Sequence, residues 1–100
     1  MKNTIVVTYG SCIDLDWDFF DVDGNPDPIG EDEFSVFEAT DGFEGFVFTK
    51  VDPEAGKLHL FLSAEHARKL RLGNENSFRL RRVMPGGCED NTTEIRVLVQ

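Results

Sequence analysis

Between positions 13 and 19 the chain alternates with a period of two: Ile13, Leu15, Trp17 and Phe19 share one face of an extended segment, and Asp14, Asp16 and Asp18 share the other. Successive side chains of a strand point to opposite sides, so this run demands a sheet packed on one face and wetted on the other. A helix would scatter the same residues around its circumference.

The same period returns along the chain, interrupted by Gly, Pro, Asn and Asp, and it predicts strands over 2–9, 12–20, 33–39, 43–51, 57–62, 77–84 and 92–99. In the first, Ile5, Val7 and Tyr9 oppose Thr4, Val6 and Thr8; in the fifth, Leu58, Leu60 and Leu62 point inward. The sixth places Phe78, Leu80 and with them Arg82 on one face, and Arg79, Arg81 and Val83 on the other. Thr40-Asp41-Gly42 reads as a tight turn between the third and fourth strands. Asp52-Pro53-Glu54-Ala55-Gly56 reads as a hairpin turn with Gly56 in the left-handed region. One helix is predicted, 64–70, capped by Ser63, with Ala64, Ala67 and Leu70 on one side and Gly73 past its end. The fold class is therefore all-β: an antiparallel sandwich of about seven strands with one short helix in the crossover, and residues 1–100 form one domain.

Composition narrows the function. Nineteen Asp and Glu against ten Lys and Arg leave a charge of −9, which repels phosphate backbones and makes direct nucleic-acid binding an unexpected role. Neither a signal-peptide core nor an apolar run of membrane-spanning length is present, so a role at or across a membrane is not expected. Cys12 and Cys88 have no short-range Cys or His partner and match no zinc pattern.

Candidate sites are few. Asp21, Asp23, Asn25 and Asp32 stand at positions 1, 3, 5 and 12 of a calcium-loop count, a spacing that wraps oxygen ligands around a hard cation. Position six, however, is Pro26 instead of Gly, and position twelve is Asp instead of a bidentate Glu, so an acidic Pro/Gly-rich turn is the expected reading and no metal or cofactor is assigned. The Asp14, Asp16, Asp18 ladder splays into water and is balanced by Lys57 and His59 if the fifth strand is its neighbour. Ser11, Ser63 and Cys12 lack a nucleophile context, so no catalytic residue is expected and the chain does not read as an enzyme.

The order of several phrases adds more. Tyr9-Gly10-Ser11, then Phe19-Phe20-Asp21-Val22-Asp23-Gly24-Asn25-Pro26, then Asp52-Pro53-Glu54-Ala55-Gly56-Lys57-Leu58-His59-Leu60-Phe61-Leu62-Ser63-Ala64-Glu65-His66-Ala67 and Leu72-Gly73 together resemble the immunoglobulin-like domain of bacteriophage virion proteins. The N-terminal domain of phage baseplate upper proteins and small stand-alone phage structural proteins carry such domains, and the similarity spans about residues 9–99. Two departures stand out: the Tyr that usually follows the helix-ending Gly is replaced by Asn74-Glu75-Asn76-Ser77-Phe78, and Pro28-Ile29-Gly30 replaces an Asp-Leu-Thr-Gly phrase. The resemblance implies an immunoglobulin-like sandwich and a non-catalytic structural protein of the tail, baseplate, fibre or head decoration. Its implied location is the virion, and its partners are other phage structural proteins and copies of itself.

An immunoglobulin-like path brings the 20–32, 52–56 and 85–91 loops to one end, with Asp27, Glu31, Asp52, Glu54, Glu89 and Asp90 among their acids. The other end receives Arg68, Lys69 and Arg71, and Arg79 and Arg81 lie on the strand leaving it. These charged residues are the expected interface, because a polarised molecule suits oriented contacts in a particle. The same path separates Cys12 from Cys88 by the length of a strand, about 26 Å for eight residues, against the roughly 7 Å limit for a disulfide, so two free thiols are expected. The rival reading is a small acidic inhibitor or immunity-type protein that blocks a basic surface of an enzyme or nucleoprotein.

Overall fold

The computed structural model describes residues 3–92 and 94–100. Eight strands lie in two sheets: β1 (Asn3–Val7), β2 (Ile13–Asp18), β3 (Glu33–Phe37), β4 (Val47–Asp52), β5 (Lys57–Leu62), β6 (Glu75–Val83), β7 (Glu89–Asn91) and β8 (Ile95–Val99), with a short helix α1 (Ala64–Ala67) between β5 and β6. One sheet runs β1-β8-β6-β3, with β7 also paired to β6; the other runs β2-β5-β4. This is an all-β sandwich. The second, fifth and fourth strands form one layer, and the third, sixth and last form the core of the other.

The alternation explains the layering. Leu58, Leu60 and Leu62 of β5, Phe78 and Leu80 of β6, and Ile95, Val97 and Val99 of β8 are buried on the inner faces. Each such side chain contributes about 1.5–3 kcal/mol by leaving water. Aromatic rings tie the layers together: Phe34 of β3 lies 5.5 Å from Phe19 and 6.4 Å from Phe48 of β4. At the other end Phe43 and Phe46 close on Phe78 at 5.0 and 5.1 Å.

Four elements differ from the sequence reading. The first strand pairs in parallel with β8, Asn3 opposite Ile95 through Val7 opposite Val99, so the sandwich is not wholly antiparallel. Alternation reports which face a strand buries and is silent on the direction of its neighbour. Thr40-Asp41-Gly42 does not join a hairpin: β3 and β4 belong to different sheets, and Phe43–Gly45 is a single 3-10 turn carrying the chain across the core. The predicted 85–91 loop contains β7, paired to β6 through Arg81–Val83. The helix is regular only over Ala64–Ala67, because Lys69 and Leu70 donate to His66 and Ala67 in tighter three-residue turns. Ser63 caps it as expected, its Oγ accepting from the His66 N–H at 3.5 Å.

The connection over 71–76 is held by Asn76, which is fully buried. Its side-chain oxygen accepts from the Arg71 N–H at 2.9 Å, and its amide donates to the carbonyls of Arg71, Asn74 and Val97 at 3.1, 3.2 and 3.4 Å. This one amide satisfies the helix exit and fixes where residues 71–74 leave the sandwich.

Candidate functional site

The outer face of the β2-β5-β4 sheet carries the most ordered array of titratable groups. The β2–β5 register sets Asp14, Asp16 and Asp18 opposite Phe61, His59 and Lys57. His59 Nδ1 lies 2.8 Å from Asp16 and Nε2 lies 3.0 Å from Asp14, so one imidazole spans two carboxylates of the ladder. Hydrogen bonding to Asp16, then to Asp14, raises the His59 pKa above its ordinary value. Lys57 meets Asp18 at 3.5 Å. The expected balancing of the ladder by β5 is what the sheet provides, and its chemistry is cross-strand pairing.

A second array lies at the loop end. Arg82 is 3% exposed and points inward: Nε donates to Asp32 at 2.6 Å, one terminal nitrogen to Asp27 at 2.8 Å and the other to the Pro28 carbonyl at 3.1 Å. Its guanidinium sits 5.1 Å from the Phe19 ring centre, and Asp90 approaches to 3.9 Å. Burial works to lower the Arg82 pKa, and the hydrogen bonds to Asp27 and Asp32 outweigh it, so the net direction is upward. This lock was missed as a pairing in the sequence. Its signal was there: an arginine at an inward-facing position of a strand needs buried acids, and Asp27 and Asp32 flank a segment made rigid by Pro28.

The calcium candidates do not converge. Asp32 is committed to Arg82, and Asp21 folds back to accept from the Asp23 and Asn25 N–H groups at 2.9 and 3.0 Å. Asp21, Asp23 and Asn25 therefore form a self-capped turn. Among the described residues no group of three His, Cys, Asp or Glu is placed to hold a metal.

The interface candidates divide by what they touch. The loop end is assembled as expected: Ile29 donates to Pro53 and Phe19 to Gly56, joining the 20–32 and 52–56 segments, and Arg82 ties in Asp90. Glu31 and Glu54 are exposed there, and Asp52 accepts from the Ala55 N–H at 3.3 Å within its turn. Asp27 is spent on Arg82, and Glu89 lies 3.0 Å from Arg81 Nε, whose N–H is not aligned on it. Arg79 and Arg81 flank the Phe37 ring at 4.7 and 4.3 Å on the outer face of the other sheet, and Arg79 also reaches Glu38 at 3.3 Å. They are sheet-face residues, neutralised locally and away from the helix end.

Arg68, Lys69 and Arg71 are exposed and, among the described residues, make no ion pair within 4.0 Å. Acids share that end: Asp41, Glu44 and Glu65 border the 3-10 turn and the helix. Glu44 accepts from the Gly42 N–H at 2.6 Å, and backbone N–H groups of Glu44 and Gly42 hold its carboxyl below the ordinary range. The helix end is thus mixed in charge instead of basic, with Arg68, Lys69 and Arg71 its cations without an ion pair among the described residues. Cys12, before β2, and Cys88, in the β6–β7 turn, are both exposed free thiols. No protein-family model and no curated protein matches this chain.

Proposed function

We propose that this protein is a non-catalytic structural module of a bacteriophage virion, built to contact other particle proteins. The observation that carries the reading is the strand-to-helix join at 57–67. The phrase that most specifically resembles the phage domain, Leu58-His59-Leu60-Phe61-Leu62-Ser63-Ala64-Glu65, spans a strand that buries all three leucines and a serine-capped helix. The phrase thus forms most of β5 and the start of the helix that follows it, a join that the resemblance implies. The ordered charges agree with a scaffold: His59, Lys57 and Arg82 spend their chemistry holding strands and loops together. No transmembrane helix is found among the described residues.

Mass spectrometry of purified particles of the encoding phage tests the reading. A stoichiometric copy number in the particle is the expected result. Absence from particles, with a monomer in solution, overturns it and favours the acidic-inhibitor reading.

A further inference from the structure

The two ends of the sandwich differ in charge, yet both expose apolar side chains. At the loop end Phe20 is 60% exposed and Val22 wholly exposed. They alternate with Asp21 and Asp23 in a tip fixed by the Asp21 carboxylate and by pairing of Phe20 with Pro26. Exposed Glu31 and Glu54 extend the negative charge of that end. At the helix end Tyr9 and Leu72 are 45% and 58% exposed. They flank the end of the last strand on its two sides, where the Tyr9 N–H donates to Gln100 and the N–H of Gly73, next to Leu72, donates to Val99. Arg68 and Arg71 frame them, Arg68 close to Gly10 and Arg71 anchored by buried Asn76. The backbone under both patches is held by these hydrogen bonds, so docking orders side chains and not loops.

We infer that the acidic, apolar loop end of one copy docks on the Tyr9–Leu72, Arg68–Arg71 end of a second copy, giving head-to-tail self-association. This deepens the structural-module reading by naming a partner and a surface. The Arg68–Arg71 patch complements the acids of the loop end although Asp41, Glu44 and Glu65 share its end of the sandwich, and two loop ends repel each other, which selects head-to-tail over loop-to-loop contact. Such a contact uses two different patches and so propagates instead of closing at a pair. One end of a sandwich this size buries less than the roughly 1,200 Å² of a standard complex, so the contact is weak and concentration-dependent in solution.

Sedimentation of three samples at low salt tests it: the wild type, a loop-end variant Phe20→Ser/Val22→Ser and a helix-end variant Arg68→Glu/Arg71→Glu. The wild type forms species beyond the dimer, and association weakens by about tenfold or more when salt is raised from 50 to 500 mM. Each variant alone is monomeric. Mixed, they form a 1:1 heterodimer and nothing larger, because each still supplies the end that the other lacks. A wild type monomeric at millimolar concentration overturns the inference, as do variants that still self-associate or a mixture that stays monomeric. Carbodiimide coupling of the unaltered protein needs no variant: intermolecular Lys69–Asp23 or Lys69–Glu54 links are expected, and links from Lys69 to Glu44 alone refute the contact. None of these failures bears on whether the chain is found in particles.

Discussion

Replacing Arg82 by Met removes the guanidinium while keeping most of the stem's volume, and it leaves Asp32, 5% exposed, without its partner. Breaking a buried pair by deleting one member costs about 3–5 kcal/mol, because the remaining charge stays desolvated. A domain of this length has about 5–15 kcal/mol in total, so the loss is about a fifth or more of its stability. At about 4–8 °C per kcal/mol for a domain of this size, the melting temperature falls by 12 °C or more. Arg82→Lys lies between, since one ammonium cannot reach Asp32, Asp27 and the Pro28 carbonyl together. The double variant Arg82→Met/Asp32→Leu recovers to within about 1 kcal/mol of the wild type or exceeds it, because the desolvation cost disappears with the pair. Urea unfolding at pH 7, followed by the fluorescence of Trp17, measures all three at a common m-value. A loss below 1 kcal/mol for Arg82→Met alone refutes the reasoning and means that water reaches the pair.

Three further outcomes are expected. The His59 pKa is raised in the folded state, so its contribution to stability is full below the unfolded-state value of 6.5 and is lost as pH rises through the higher folded pKa. Melting curves across pH 5–9 show that loss, His59→Gln abolishes it, and an NMR titration placing the ring at or below 6.5 contradicts it. Gly56→Ala destabilises by about 2 kcal/mol or more in urea unfolding. Its φ is +70°, and a Cβ there would lie 2.5 Å from the Asp27 carbonyl oxygen and 2.8 Å from that of Phe19. Ellman's reagent titrates two thiols without denaturant, since Cys12 and Cys88 are both exposed and unbridged; a single reactive thiol contradicts that placement.

The layering was legible because it rests on parity. Ile13, Leu58, Leu60, Leu62, Phe78 and Leu80 are inward in the chain's alternation and buried in the sandwich. Gly56 was legible because a Pro-x-x-Gly turn needs a left-handed residue where that glycine sits. Parity carries no partner information, which is why the parallel β1–β8 pairing was not read. Phe43 looked like the start of a strand because a 3-10 turn and a strand both accept an aromatic facing the core. Asn76 was invisible because nothing local marks which asparagine will satisfy a helix exit; that depends on where the chain returns.

Charge was the least legible property, and the reason is physical. A sequence counts acids, while function depends on which acids remain after the fold has used its share. Asp27 and Asp32 seemed part of an acidic surface until Arg82, inward by parity, drew them in. Asp14 and Asp16 were legible as partners of His59 only on condition that β5 is the neighbouring strand, and the β5 register sets His59 between them. Subtracting these commitments leaves an acidic tip around Asp23, Glu31 and Glu54 at one end and Arg68, Lys69 and Arg71 at the other. Each lies beside apolar side chains that the sandwich does not cover. Those uncommitted groups, more than the net charge of −9, are where a partner would be chosen.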